Sequence, residues 1–67
     1  MKELYAEFDR IATDARRGFV TIGETNMLML RAIDQFDFYG ENSENYFPNK
    51  MKAYHRMYKI LFELSKS

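Results

Sequence analysis

The stretch Met27-Leu28-Met29-Leu30-Arg31-Ala32-Ile33 carries a single charge among seven residues, so a helix formed by it is apolar almost all the way round. A helix with one apolar stripe covers a core from one side, whereas a helix with little polar perimeter needs neighbours on several sides. The stretch therefore predicts a central core helix, and an all-α fold around it.

Two other segments have helical periodicity, and we predict helices over about 2–17, 22–39 and 48–65. Short connections between them favour antiparallel neighbours, which gives a small up-down-up bundle of three helices. The length of 67 residues allows one domain, spanning 1–67.

Turn and cap residues mark the ends of these helices. Gly18 can take the left-handed conformation that closes the first helix. Thr21 and Glu24 have the spacing of a capping box at the start of the second, with Thr25 as a rival N-cap. Gly40 is expected to stop the second helix, and Pro48 suits the first position of the third.

The third helix has apolar residues in alternating steps of three and four. These predict its core-facing stripe, which comprises Met51, Tyr54, Tyr58 and Leu61, with Met57, Ile60 and Leu64 beside it.

Composition points to a protein that associates. The chain is 46% hydrophobic and 16% aromatic, and a body of this size has too little interior for so many large side chains. There is no cysteine and one histidine, so neither a disulfide framework nor a thiolate or imidazole metal site is expected. No cofactor is expected, no signal peptide or membrane span is visible, and we predict a cytoplasmic protein.

Charge is distributed unevenly along the chain, although the formal net charge is zero. Residues 1–47 hold five bases and nine acids, whereas residues 48–67 hold five bases and one acid. In one interpretation the basic last helix packs near the acidic connection between the second and third helices, and the two partly neutralise each other. In the other, either the basic helix or the acidic connection binds a charged partner.

No residue pattern indicates catalysis. Asp34 and Asp37 are three residues apart, but nothing suggests the burial that separates the pKa values of a working carboxylate pair, so we interpret them as solvated. His55 has no nucleophile or carboxylate at a local spacing that would orient it. We expect no catalytic, cofactor-binding or metal site.

The principal candidate for partner binding is the segment 37–47, which combines aromatic residues with uncompensated acids. Aromatic anchors surrounded by a charged rim are typical of protein interfaces. The same aromatic residues could instead fold back and cap the bundle, and the sequence leaves both readings open. The candidate residues are Asp37, Tyr39, Glu41, Glu44, Tyr46 and Phe47.

A secondary candidate is the basic face of the last helix, formed by Lys52, Arg56 and Lys59. A basic helix invites a nucleic-acid interpretation, since affinity grows with the number of phosphates neutralised. Zero net charge and a pI near 6.6 disfavour it, as does the prediction that the tyrosines of this helix face the core.

The sequence thus predicts a non-enzymatic protein-binding module that acts as a small regulator or inhibitor of another protein. Small chains of this kind are common in phages and other mobile elements. The alternatives are a small DNA-binding regulator that uses the last helix, and a structural or assembly protein that forms a homodimer or larger homo-oligomer.

Overall fold

Three α-helices make up the computed structural model, which describes residues 2–38 and 46–66, with the side chain of Tyr46 outside the description. Helix α1 is Lys2–Arg16, α2 is Ile22–Gln35 and α3 is Tyr46–Lys66. Each helix contacts both of the others, and the described residues contain no strand. This confirms the predicted all-α bundle of three helices. Within the described part of the chain, no helix combines the length and apolar character needed to cross a bilayer.

The connection between α1 and α2 is set by local hydrogen bonds. The N–H of Gly18 donates to the carbonyl of Ala15 at 3.1 Å and that of Phe19 donates to Asp14 at 2.9 Å, the two bonds of a Schellman motif. Gly18 has φ +81°, a conformation that glycine adopts without steric penalty. The predicted cap of the first helix is therefore confirmed.

Helix α2 begins at the predicted capping box. The N–H of Glu24 donates to Oγ1 of Thr21 at 3.1 Å, and the N–H of Thr21 donates to Oε1 of Glu24 at 3.0 Å. Thr25, the rival cap, is instead fully buried, and its hydroxyl donates to the carbonyl of Thr21 at 2.7 Å. The hydroxyl is thus satisfied without water, and Thr25 fills core space under the first turn of the helix.

The core is formed by one face of each helix. It contains residues from α1, α2 and α3 together with Phe38, which follows α2; these are Leu4, Phe8, Ile11, Ala12, Met29, Ile33, Phe38, Ala53 and Met57. Helix α2 contributes Met29 and Ile33 to it from one buried face, which also carries Thr25. Met27 and Leu28 nevertheless remain exposed, because two neighbouring helices cannot surround a third completely.

The end of α2 differs from the prediction. The helix stops at Gln35, and Phe36 has ψ 135°, an extended conformation, so the predicted continuation to about residue 39 is wrong. Continued helical geometry would turn Phe38 about 180° away from the buried Met29, toward the solvent side that carries Met27. Leaving the helix instead buries Phe38, whose ring packs edge-to-face on Phe36 with centroids 4.9 Å apart. The predicted stop at Gly40 lies outside the described residues.

Helix α3 begins at Tyr46, two residues before the predicted start at Pro48. Proline is tolerated there because the N–H groups of the first turn have no intrahelical acceptor in any case. With 21 residues, α3 is longer than α1 and α2, which have 15 and 14. At 1.5 Å per residue, α3 exceeds its neighbours by roughly 10 Å.

The predicted core-facing stripe of α3 is wrong at Met51 and Tyr58, whereas Tyr54, Met57, Ile60, Leu61 and Leu64 are buried or pack against the core. Ala53, Met57 and Leu64 are the buried residues, whereas Met51 and Tyr58 are exposed and Tyr54 and Leu61 are half-buried. Two adjacent stripes of α3 are apolar, and a bundle of this size has room for only one of them. The stripe that contains the small Ala53 packs inside, and the bulkier stripe faces outward.

Candidate interaction surface

A row of large apolar side chains lies on the outside of α3. Its exposed fractions are 74% for Phe47, 66% for Met51, 61% for Tyr58 and 59% for Phe62. We call these four residues the outer stripe. At 100° per residue they fall within an arc of about 60°, and the 15 steps from residue 47 to residue 62 span roughly 22 Å. The outer stripe therefore follows one side of α3, with about two turns between Met51 and Tyr58.

A row of positive charge runs along α3 about 120° round the helix from the outer stripe. Lys52, Arg56 and Lys59 follow one another at i, i+4 and i+7, are all exposed, and form what we call the basic row. Among the described residues, none of the three has a carboxylate partner. Arg10 on α1 is different, because it pairs with Glu7 and lies 4.0 Å from Asp14. The charge of the basic row is thus uncompensated within the part of the chain that the structure describes.

The basic row borders a groove between α1 and α3 with a volume of about 540 Å³. The guanidinium carbon of Arg56 lies 4.6 Å from the centroid of the Tyr5 ring, a cation–π contact. Tyr5 itself packs against the core, so it restricts the position of the guanidinium. The groove is lined by Tyr5, Met51, Lys52, His55, Arg56 and Lys59.

A second, smaller hollow of about 320 Å³ shares Arg56 and Lys59 with the α1–α3 groove. It adds Arg16 from the end of α1, while Glu63 is its one acidic lining residue. Positive charge therefore continues from the groove toward the C-terminal half of α3.

The pKa values of Glu24 and Arg10 are perturbed, and neither residue lines the groove. The N–H of Thr21, donating to the carboxylate of Glu24, lowers the pKa of Glu24, and the hydroxyl of Thr21 adds to the effect. The hydrogen bond that Arg10 donates to Glu7 raises the pKa of Arg10. Both shifts arise from contacts within or at the end of a helix, so they indicate structural roles.

The three titratable residues that the sequence singled out lie at the surface. Asp34, Asp37 and His55 are all exposed. In residues 2–38 and 46–66, no three histidine or acidic side chains are grouped closely enough to hold a metal ion. What the described surface offers chemically is hydrophobic contact and ion pairing.

The structure describes the predicted segment 37–47 only in part. Asp37 is exposed beyond the end of α2, and Phe47 is exposed in the first turn of α3. Tyr46 is the first residue of α3. Tyr39, Glu41 and Glu44 lie outside the described residues, as does the side chain of Tyr46. The side chain of Phe47 is exposed, whereas those of Phe36 and Phe38 pack against the core after the end of α2.

The structure describes all three residues of the secondary candidate, Lys52, Arg56 and Lys59, and they line one groove between α1 and α3. Four further residues of this surface are not among the candidates from the sequence; they are Tyr5, Met51, Tyr58 and Phe62. The signal was present in the spacing of residues 47, 51, 58 and 62, which repeats at i, i+4, i+11 and i+15 and defines a second stripe on α3.

The position of Tyr58 also removes one objection to nucleic-acid binding. The tyrosines of the last helix are predicted to face the core, but Tyr58 is exposed. An exposed ring can in principle stack on a base.

Comparison of the chain with protein-family models, with characterised proteins and with solved structures finds no match in any of the three.

Proposed function

We propose that this protein is a non-enzymatic binding module that regulates or inhibits a partner protein through the outer surface of α3. The observation that carries the proposal is the outer stripe, a line of four large hydrophobic side chains that project from a helix whose other apolar face already packs in the core.

The size of the outer stripe supports a protein interface. A large aromatic or methionine side chain presents on the order of 150–250 Å² when fully accessible, so four of them at these exposures contribute roughly 500 Å². The largest apolar patch on a typical monomer is about 300–600 Å² and is often functional. Together with the basic row, the surface approaches the roughly 800 Å² per partner of a standard interface.

The composition of this surface supports the same proposal. Interface cores are enriched in tyrosine, phenylalanine, methionine and arginine, and depleted in lysine and acids, which gather at the rim. Here Phe47, Met51, Tyr58 and Phe62 form the centre, with Lys52 and Lys59 beside them. Aromatic residues of this kind anchor most of the binding energy, whereas rim charges mainly set the association rate.

The original candidate segment remains part of the proposal as an extension of this surface. Phe47 belongs both to the segment 37–47 and to the outer stripe. A partner that lies along α3 would reach that segment at the N-terminal end of the helix. We propose the cytoplasm as the site of action, a location with which a cysteine-free chain accords.

Nucleic-acid binding is the second candidate function, favoured by the uncompensated basic row and the exposed ring of Tyr58. It accounts for the positive charge but leaves Phe47, Met51 and Phe62 without a role. A protein partner uses both features, and for that reason we prefer it.

Affinity capture from the native host tests the proposal. The wild-type chain is compared with Tyr58→Gln/Phe62→Gln, which removes the centre of the outer stripe. Phe19→Gln/Met27→Gln is the matched control, because these two side chains are equally exposed but lie elsewhere. We expect one protein to be retained by the wild type and the control and to be lost with the stripe variant.

Two results would contradict the proposal. One is a retained protein whose recovery is the same with all three baits, which would locate the interface elsewhere. The other is recovery of DNA fragments that depend on the basic row, which would favour the second candidate.

A further inference from the structure

We infer that the element recognised by this surface is an acidic amphipathic helix of the partner, with its apolar side chains on the outer stripe and its carboxylates on the basic row. The inference rests on the proposed function, since it specifies the chemistry of the partner that the proposed binding module holds.

Charge is the first argument. Helix α3 carries five basic residues and one acid, Glu63, and the three members of the basic row have no carboxylate partner within the described residues. A partner that supplies acids along this line gains three ion pairs, while a partner that supplies bases meets repulsion of similar size. The surface therefore selects for acidic partners.

The arrangement of the two rows is the second argument. The outer stripe and the basic row both have the spacing of three, four or seven residues that a helix surface produces, and their centres lie about 120° apart around α3. A partner helix that packs between the two rows, over His55, therefore meets one row on each flank. A helix packed about 20° from parallel stays in contact over such a length and presents its own side chains at the same repeat. A helix of about 15 residues matches the roughly 22 Å of the outer stripe.

Backbone chemistry also favours a helix over an extended segment. The outer stripe offers hydrophobic side chains and no sheet edge, so it cannot pair with the N–H and C=O groups of a strand. A helix satisfies these groups internally and can lie on an apolar surface without loss.

Arg56 lies between Lys52 and Lys59 in the basic row and is the most restricted of its three charges. The Tyr5 ring, 4.6 Å from its guanidinium carbon, restricts the side chain before any partner arrives. A guanidinium can bind a carboxylate with two parallel hydrogen bonds, whereas lysine acts as a point charge. Lys52 and Lys59 lie about one turn away on either side, so the partner should carry its acids at a similar spacing.

A second copy of this chain is a poorer occupant, because α3 packed on α3 brings positive charge against positive charge. Nucleic acid would neutralise the basic row but leave the outer stripe in water. An anionic lipid surface would use both features, yet the outer stripe covers an arc of only about 60°, narrower than the apolar face of most interfacial helices.

The test uses three synthetic helical peptides of about 18 residues, long enough to cover the outer stripe at 1.5 Å per residue. All share one leucine and phenylalanine stripe, and the flanking positions carry glutamate, glutamine or lysine. Binding to the purified protein is followed by fluorescence anisotropy at low and at physiological salt. We expect the glutamate peptide to bind tightest and to lose affinity as salt rises.

Charge reversal of the basic row, Lys52→Glu/Arg56→Glu/Lys59→Glu, should weaken the glutamate peptide at least about tenfold and strengthen the lysine peptide. The control reverses three exposed charges elsewhere, Lys2→Glu/Arg17→Glu/Arg31→Glu, and has the same net charge. It should leave the order of the three peptides unchanged.

Further variants keep the test decisive. Thermal unfolding checks that the reversed variants fold, and the single change Arg56→Gln replaces the triple change if they do not. Arg56→Gln should weaken the glutamate peptide with little effect on the glutamine peptide. Tyr58→Gln/Phe62→Gln should weaken both of these peptides, since the outer stripe is common to their binding.

Several outcomes would overturn the inference. One is that charge reversal of the basic row leaves the affinity for the glutamate peptide unchanged. Another is that the wild type binds the lysine peptide, duplex DNA or phosphatidylserine vesicles more tightly than it binds the glutamate peptide. A dimer in sedimentation that the stripe variant abolishes would instead assign the surface to a second copy. If a captured host protein requires the outer stripe but not the basic row, this inference fails and the proposed function stands.

Discussion

Two methionines of α3 test which side of that helix forms the core. Met57 is completely buried, whereas Met51, six residues earlier on the same helix, is 66% exposed. Truncation of a buried methionine to alanine removes its transfer free energy and leaves a cavity, at a cost of about 2–5 kcal/mol. At roughly 0.05–0.15 kcal/mol per residue, a 67-residue domain has only about 3–10 kcal/mol of stability. Met57→Ala should therefore remove a large part of it.

Met51→Ala is the matched control, because it makes the same chemical change on the same helix. An exposed substitution away from packing contacts usually changes stability by less than about 0.5 kcal/mol, and alanine is if anything the better helix former. Urea unfolding followed by circular dichroism should show a midpoint lower by about 2 M or more for Met57→Ala, with a slope of roughly 1 kcal/mol per molar. Equal losses for the two variants, or a larger loss for Met51→Ala, would refute the assigned orientation of α3.

Three further predictions concern local contacts. Gly18→Ala should destabilise the folded protein by about 1–2 kcal/mol because φ of Gly18 is +81°. Gly23→Ala within α2 should instead stabilise it by about 0.5–1 kcal/mol, because the added Cβ would meet only Thr21 Oγ1 at 3.9 Å. If urea unfolding shows that both variants lose stability or both gain it, the cap at Gly18 is contradicted. Glu24 has a lowered pKa when folded, so its contribution to stability is fully present above its ordinary value of 4.5 and is lost as pH falls through the lowered value. Glu24→Gln should abolish that part of the acid dependence of the urea midpoint, and an unchanged profile would contradict the capping box. Phe38→Ala should lower the free energy of unfolding by about 3–5 kcal/mol because the ring is buried, and Phe47→Ala should lower it by less than about 0.5 kcal/mol. The reverse order would mean that Phe47, not Phe38, covers the end of the bundle.

Features governed by local chemistry were predictable from the sequence. The Schellman motif at Gly18 and the capping box of Thr21 and Glu24 depend on residues a few positions apart, so their side chains and backbone conformations carry the whole signal. The core positions of α1 were predictable because Leu4 and Phe8 lie on its single apolar stripe.

Features governed by competition between tertiary contacts were not predictable in this way. Phe38 is buried only because α2 ends early, and the helical pattern offers no reason for that end until the space at the end of the bundle is known. Periodicity also does not decide which of two adjacent apolar stripes of α3 packs inside. The choice in favour of Ala53 and Met57 follows from the fit against α1 and α2, which one helix alone does not reveal.

The residues of the candidate surface also divide into those set by local spacing, which were predictable, and those set by tertiary packing, which were not. Lys52, Arg56 and Lys59 were identified because their spacing places them on one face of a helix. Tyr5 was missed because it joins the basic row only through packing of α1 against α3. Tyr58 and Phe62 were missed because hydrophobic residues on a periodic stripe are usually buried.

Site-specific photo-cross-linking in the native host would examine most directly whether the outer surface of α3 holds a partner. Benzoylphenylalanine is placed at Tyr58, at Phe62 or, as a control of similar exposure, at Phe19. We expect the same single protein adduct from positions 58 and 62, and none from position 19. No adduct from either α3 position, or one that forms only from position 19, would contradict the assignment of α3 as the binding surface.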